Sequence, residues 1–227
     1  MTTTLITGAN KGLGYETARR LTAAGHQVWI GARDVTRGRQ AADALEARFV
    51  QLDVTDDASV AAAAQTVGAL DVLINNAGIS GGRIGPSEAS ADDMRAVYET
   101  NVFGPVRVLH AFLPLLEKSA APVVVNVSSG LGSLGLAADR DGPWSGFIFP
   151  AYSSSKAALN MLTVQYAAAL PRMRINSVDP GFTATDFNAH RGTQTVEEGA
   201  EAIVRYALTG PDGPTGGFFG ASGTRPW

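Results

Sequence analysis

Tyr152 and Lys156 stand four residues apart in the stretch Pro150-Ala151-Tyr152-Ser153-Ser154-Ser155-Lys156. On a helix that spacing puts a phenol and an ammonium on one face, where both can act on one substrate atom. Free tyrosine ionises at about pH 10, too high for efficient acid catalysis at neutral pH, and a neighbouring cation lowers that value by stabilising the phenolate. The pair reads as a tuned proton donor. Tyr and Lys meet at this spacing by chance on many helices, so the assignment depends on the chain upstream.

Thr3-Thr4-Leu5-Ile6-Thr7 reads as a short buried strand, followed by the turn Gly8-Ala9-Asn10-Lys11-Gly12-Leu13-Gly14 and a helix from Tyr15 to Ala24. Strand, glycine turn and helix aim backbone N–H groups and the positive helix end at a phosphate. A purely structural glycine turn is the alternative; the strand before it, the helix after it and the rest of the chain favour a dinucleotide. A second strand, His26 to Ala32, ends in Arg33-Asp34, where dinucleotide folds place an acidic residue on the adenosine ribose. Here Arg33, Arg37 and Lys11 gather instead, and three cations suit a 2'-phosphate. The expectation is NADP(H) rather than NAD(H); otherwise Arg33 and Arg37 are solvated residues at a helix start.

Further strands are expected at Arg48 to Asp53, Asp71 to Asn75, Pro122 to Ser128 and Met173 to Val178, with a short one at Gly217 to Phe219. Asp53 is placed to receive the adenine amino group. Asp56-Asp57 cap a helix to about Val67. The corner Asn75-Asn76-Ala77-Gly78 brings backbone near the cofactor or ties neighbouring strands, and the sequence leaves both roles open. A long helix from Ala91 to about Glu117 carries Asn101 and should kink at Gly104-Pro105. Ser128-Ser129 emerges at the carboxyl end of the fifth strand, where ligands bind in open α/β sheets.

A loop of unsettled structure, 130–150, carries Trp144, Phe147 and Phe149 before the tyrosine helix, which runs to Leu170. From Ala157 to Leu170 that helix bears no charge, so it is expected to be buried all round, against a partner subunit or the aromatic loop. Phe187 to Val196 reads as a mobile polar segment over the site, ahead of a last helix, Val196 to Leu208. The βα alternation predicts a Rossmann-type doubly wound parallel sheet forming one α/β domain over residues 1–227.

Composition narrows the function. A net charge of −3 provides no field to recruit nucleic acid or an anionic membrane. The chain has no cysteine, which removes disulfides, thiolate nucleophiles and cysteine metal sites, and no other metal cluster is visible. No apolar run approaches a membrane span and no leader segment is evident, so a cytoplasmic protein is the default.

Together TGANKGLG, NNAG, Asn101, Ser129, YSSSK and the PGFTATD turn resemble the short-chain dehydrogenase/reductase family, in the expected order and over nearly the whole chain. The stretch Ala32-Arg33-Asp34-Val35-Thr36-Arg37-Gly38 is similar to NADPH-dependent carbonyl reductases. The resemblance implies that Tyr152 is the acid/base and that Lys156 binds the nicotinamide ribose and lowers the Tyr152 pKa. Ser129, rather than Ser128, would position the substrate carbonyl, and Asn101 would help hold a proton-relay water. Cofactor contacts are implied for Gly8, Asn10, Lys11, Gly12, Leu13 and Gly14, for Arg33 and Arg37, for Asp53 and Val54, and for Asn76, Ala77 and Gly78. Pro180, Gly181, Thr183 and Thr185 would line the nicotinamide end.

Two departures stand out. Tyr152 lies 23 residues beyond Ser129, more than the commonest family spacing, so the aromatic loop is an insertion able to line the pocket or alter subunit association. Thr183 stands where the family more often has Val or Ile, at a backbone contact that should be insensitive to the side chain. The reading is NADPH-dependent reduction of a small carbonyl compound. Homodimer, homotetramer and monomer all stay open. A non-catalytic NADP(H)-sensing regulator is the alternative, and it gains nothing from a complete Ser/Tyr/Lys set. A serine hydrolase built on Ser129 fails because His26, His110 and His190 follow no nucleophile elbow.

Overall fold

Strand β1 (Thr3–Thr7) is buried at every position and pairs in parallel with β2 (Gln27–Ala32) on one side and β4 (Val72–Asn75) on the other. The winding of the chain therefore reverses at β1, and a crevice opens beyond the carboxyl ends of β1 and β4, the place where such sheets bind ligands. Outward from there lie β3 (Arg48–Gln51) beyond β2, and β5 (Val123–Val127), β6 (Arg174–Val178), β7 (Phe218–Gly220) and β8 (Gly223–Thr224) beyond β4. All pairings are parallel except β7 with β8. The computed structural model describes residues 1–227 other than Arg83 and Pro143; Pro143, inside the expected 130–150 loop, is outside the described residues.

Alternate side chains along each strand feed opposite faces of the sheet. Leu5, Leu73, Val124 and Ile175 pack against α3 (Asp57–Val67), α5 (Gly104–Leu116) and α7 (Pro150–Ala169). Ile6, Ile30, Ile74 and Val125 pack against α1 (Gly12–Ala23), α2 (Val35–Ala44) and α8 (Val196–Ala207). Because both faces are covered, the central strands can be continuously apolar. The doubly wound parallel sheet expected from the sequence is present, with helices on both sides.

Two expectations need correction, and a third concerns helix α7. The long helix is divided into α4 (Ala91–Tyr98), one π turn (Glu99–Phe103) and α5, so the break precedes Pro105 and is absorbed by a widened turn around Asn101. The 130–150 loop contains a 3₁₀ turn (Gly130–Gly132) and a short helix α6 (Leu134–Ala138), the latter capped by the Ser133 hydroxyl on Leu136 N. Within the single chain, helix α7 leaves exposed the outer face that was expected to meet a partner subunit or the aromatic loop. It buries a stripe of Ser155, Lys156, Leu159, Asn160, Thr163 and Ala167, while Met161 is 60% exposed on its outer side.

Candidate active site

Helix α7 starts with Pro150 in its first turn, where the missing N–H costs nothing. Tyr152 follows on that turn, half-buried, with its ring 5.5 Å from that of Phe187. Lys156 is one turn further and 4% exposed. Its Nζ donates to the Val127 carbonyl at 2.8 Å and lies 5.7 Å from the centre of the Tyr152 ring. Burial lowers the Lys156 pKa to about 8.

Desolvation raises the Tyr152 pKa well above its ordinary value, the Ser129 hydroxyl works against that by hydrogen bonding, and the Asp179 charge adds to it. Lys156 was expected to lower the phenol's pKa. Here the ammonium is spent on the carbonyl of β5, and burial dominates the phenol. The group that favours the phenolate in this arrangement is Ser129.

Ser128 and Ser129 diverge. Ser128 is buried, with its hydroxyl on Asn160 Oδ1 at 2.7 Å, while Ser129 accepts from Leu131 N at 3.2 Å and sits by Tyr152. Asn101 is fully buried in the π turn, and its amide is committed on both sides. Oδ1 accepts from Ile79 N at 2.8 Å, and Nδ2 donates to Ile79 O at 2.9 Å and to Ser155 Oγ at 3.1 Å. The Ser155 hydroxyl in turn donates to the Tyr152 carbonyl at 2.7 Å, so Asn101 ties the 78–79 corner to the tyrosine turn. A Cβ on Gly78 would stand 3.3 Å from Asn101 Oδ1 and 3.6 Å from Lys156 Nζ, which places that corner directly beside the lysine.

At the β1–β4 crevice the glycine turn and the Asn76 corner interlock. Asn76 Nδ2 donates to the carbonyls of Thr7 and Gly8 at 2.9 and 3.1 Å. A Cβ on Gly14 would lie 2.5 Å from that same nitrogen, so only glycine fits there. Gly8, at φ +64°, takes a left-handed conformation that lets the chain turn under Ala77. The first turn of α1 has no acidic residue and no side-chain cap, and a helix start of that kind suits a phosphate. Asn10 is half-buried within the turn, and Leu13 packs against the second core.

The three expected phosphate cations are not equally disposed. Lys11 Nζ pairs with Asp186 at 2.9 Å across the crevice, and Arg37 lies 3.6 Å from Asp34. Arg33 is exposed and acts through space on Asp53. Arg33 and Asp53 line an open groove of about 650 Å³ together with Arg39 and Gln51. Burial opposes ionisation of Asp53, but the N–H and hydroxyl of Thr55, with Arg33 and Arg107, hold its pKa below the usual value. The Val54 carbonyl accepts from Arg107 Nη1 at 2.6 Å, and the same guanidinium pairs with Asp57 and Glu99.

Pro180 and Gly181 leave β6 beside Ser129's strand, with Gly181 at φ +76°. Thr183 is buried, and its hydroxyl bonds the Pro180 carbonyl at 3.2 Å and Gln194 Nε2 at 2.9 Å, so its side chain is structural. Thr185 stands over the glycine turn, its methyl 3.6 Å from where a Gly12 Cβ would be. The segment expected to be mobile holds a 3₁₀ turn (Asp186–Asn188) and a bridge from Thr183 to Gln194. Trp144, Phe147 and Phe182 form a chain of rings 6.0 and 5.7 Å apart beside it. His26 bonds Thr4 and His190 bonds Asp186, so neither serves Ser129.

Residues 2–195 match the sequence pattern of the family described as short chain dehydrogenase. The chain belongs to that family. Among its relatives, short-chain dehydrogenase anuI of Penicillium roqueforti (strain FM164) is 40% identical, over 91% of this chain and 88% of that one. A (+)-neomenthol dehydrogenase of Capsicum annuum is 33% identical, over 95% and 94%. That alignment runs over 296 positions against the 227 residues of this dehydrogenase, so the plant enzyme carries additional segments. The NADPH-bound carbonyl reductase from chicken fatty liver superposes with a TM-score of 0.89 at 29% identity, covering 100% of this chain and 99% of that one. The dehydrogenase is thus an oxidoreductase of a nicotinamide-dependent family.

The contacts of Asp179, Arg225 and Arg107 were not legible in the sequence. Asp179 had one signal, a carboxylate directly after β6 and just before Pro180. Arg107 and Arg225 act through contacts 50 or more residues away in one case and across the sheet in the other, Val54 and Asp57 for Arg107 and Asp179 for Arg225, and sequence spacing alone does not reveal such pairs.

Proposed function

We propose that this dehydrogenase reduces an apolar ketone or aldehyde with NADPH, Tyr152 acting as general acid. The observation that carries the reading is the convergence of Ser129, Tyr152 and Lys156, with Gly78 lying between Asn101 and the lysine. The cradle of Gly8, Gly14 and Ala77 and the uncapped start of α1 fit a dinucleotide. When bound, the nicotinamide supplies the hydride.

The residues of the chain do the remaining work. Tyr152 gives its proton to the oxygen on which negative charge develops, and Ser129 donates a hydrogen bond to the same oxygen. Lys156, fixed by Val127 beside Gly78, would bind the nicotinamide ribose. Asn101 holds Ile79 and Ser155 and so fixes the height of the tyrosine turn; with its amide committed, its backbone carbonyl in the widened turn is the group left to hold a relay water. Phe187 against Tyr152, and Trp144 with Phe147 and Phe182, favour an apolar substrate. Arg33 supports a 2'-phosphate, with Arg37 and Lys11 as nearby cations that must first leave Asp34 and Asp186. The NADPH on the chicken reductase supports the same choice.

The test is consumption of NADPH against a panel of apolar ketones, quinones and aldehydes, repeated with NADH. Turnover of at least one compound, with NADPH clearly preferred, is expected. Tight NADPH binding without turnover of any compound would replace the reductase with a nucleotide sensor.

A further inference from the structure

Strands β5 and β6 run in register, Val127 opposite Val178, and Ser128 N donates to Val178 O at 2.7 Å. Continued one residue, the register sets Ser128 opposite Asp179, and Ser129 follows next, with both Ser129 and Asp179 acting on Tyr152. Asp179 is 2% exposed. One of its oxygens, Oδ1, accepts from Gly181 N at 3.0 Å. The other, Oδ2, is buried without a hydrogen-bond partner among the described residues and faces Arg225 Nε at 3.3 Å. A Cβ on Gly130 would lie 3.2 Å from Oδ2 and 2.9 Å from the Trp144 ring, so carboxylate and indole close around the residue after Ser129.

Arg225 is held in place from several directions. Its N–H donates to Phe218 O at 2.8 Å, and Gly220 leaves room for its side chain, since a Cβ there would come within 2.7 Å of Nε. Two residues on, the Trp227 carbonyl accepts from Gly135 N at 2.8 Å and its ring stacks on Phe218 at 5.5 Å. The guanidinium is thus brought to a buried carboxylate by a strand pair and an anchored tail.

We propose that Arg225 is a positioning residue for proton transfer at Tyr152: it neutralises the Asp179 carboxylate, a buried negative charge that opposes the phenolate. This rests on Tyr152 being the proton donor. The direct influence of Asp179 on the phenol is upward, as expected for a like charge. The other charges facing Tyr152 are differently committed. Lys156 on its own helix is bonded to Val127 O, and Asp93 of α4, which shares a small cavity with Tyr152, is half-buried and bonded to Ser90. Asp186, beyond the Phe187 ring, is tied to Lys11 and His190. Asp179 is the buried carboxylate of the set, and an unpaired charge matters most where solvent cannot screen it.

The test uses the full chain with its cofactor and follows alcohol oxidation, which needs Tyr152 ionised, across the alkaline range. In Arg225→Ala the rising limb of the rate should move to higher pH by at least about one unit, the size of one charge across a partly buried site. Arg225→Lys should stay near wild type, and Asp179→Asn combined with Arg225→Ala should return the limb to its wild-type position. Asp179→Asn alone leaves an unpaired cation and should move the limb to lower pH. An unmoved limb in Arg225→Ala, or a shift that persists after Asp179 is neutralised, would overturn the proposal. If Arg225→Ala does not fold, the Asp179→Asn limb decides, an acid shift for the proposal and no shift against it. Absence of any turnover in the wild type would instead sink the reductase reading, a separately recognisable outcome.

Discussion

Lys156 reaches past Tyr152: its Nζ is 2.8 Å from the Val127 carbonyl but 5.7 Å from the centre of the phenol ring. The lysine thereby joins the tyrosine helix to the strand that delivers Ser129. An ammonium held by one carbonyl in a buried pocket is under-solvated, and its pKa falls to about 8 as a result.

That shift has a definite sign in stability. Between pH 8 and the ordinary 10.5 the unfolded chain keeps a proton on Lys156 that the folded chain has released. Stability from this residue therefore rises as pH rises through that window, by up to about 3 kcal/mol over its whole width. Lys156→Met removes the titration, so the stability advantage of wild type over this variant should grow from neutral to alkaline pH in urea unfolding at fixed salt. A difference that stays constant with pH would show that Lys156 is not desolvated.

Asn101→Ala removes three hydrogen bonds from a fully buried site and leaves the Ile79 N–H and carbonyl unsatisfied. A loss of about 2 to 4 kcal/mol in unfolding free energy is expected. Turnover should fall in the folded variant as well, because the 78–79 corner and the tyrosine turn lose their common tie. Full turnover with reduced stability would confine Asn101 to a structural role.

Arg33→Ala should weaken NADPH binding by about 10-fold or more while leaving NADH nearly unchanged, since only the former offers a 2'-phosphate to the guanidinium. Dissociation constants for both cofactors, measured by fluorescence titration, check this. Equal losses for the two would remove Arg33 from the 2'-phosphate site.

The sheet, the glycine turn and the order of the site elements were readable in advance because each rests on local signals. A buried β1 followed by Gly8 to Gly14 announces a phosphate turn, and apolar β5 announces a central strand. The π turn was less visible: Gly104-Pro105 marks a break, but the widening occurs before it, where Asn101 needs its amide turned toward Ile79. The electrostatics depend on contacts that spacing does not show. Four-residue spacing puts Lys156 on the same face as Tyr152, yet nothing local says that a strand carbonyl will take the ammonium. Long-range pairs such as Lys11 with Asp186 and Asp179 with Arg225 likewise come from the closure of the whole sheet.

The most direct measurement compares wild type with Tyr152→Phe, which keeps the ring against Phe187 and deletes only the hydroxyl. NADPH affinity should be retained while kcat for carbonyl reduction falls at least about 100-fold, the size expected for loss of a general acid. A Tyr152→Phe enzyme that binds NADPH and turns over at the wild-type rate would contradict the assignment of Tyr152 as the proton donor.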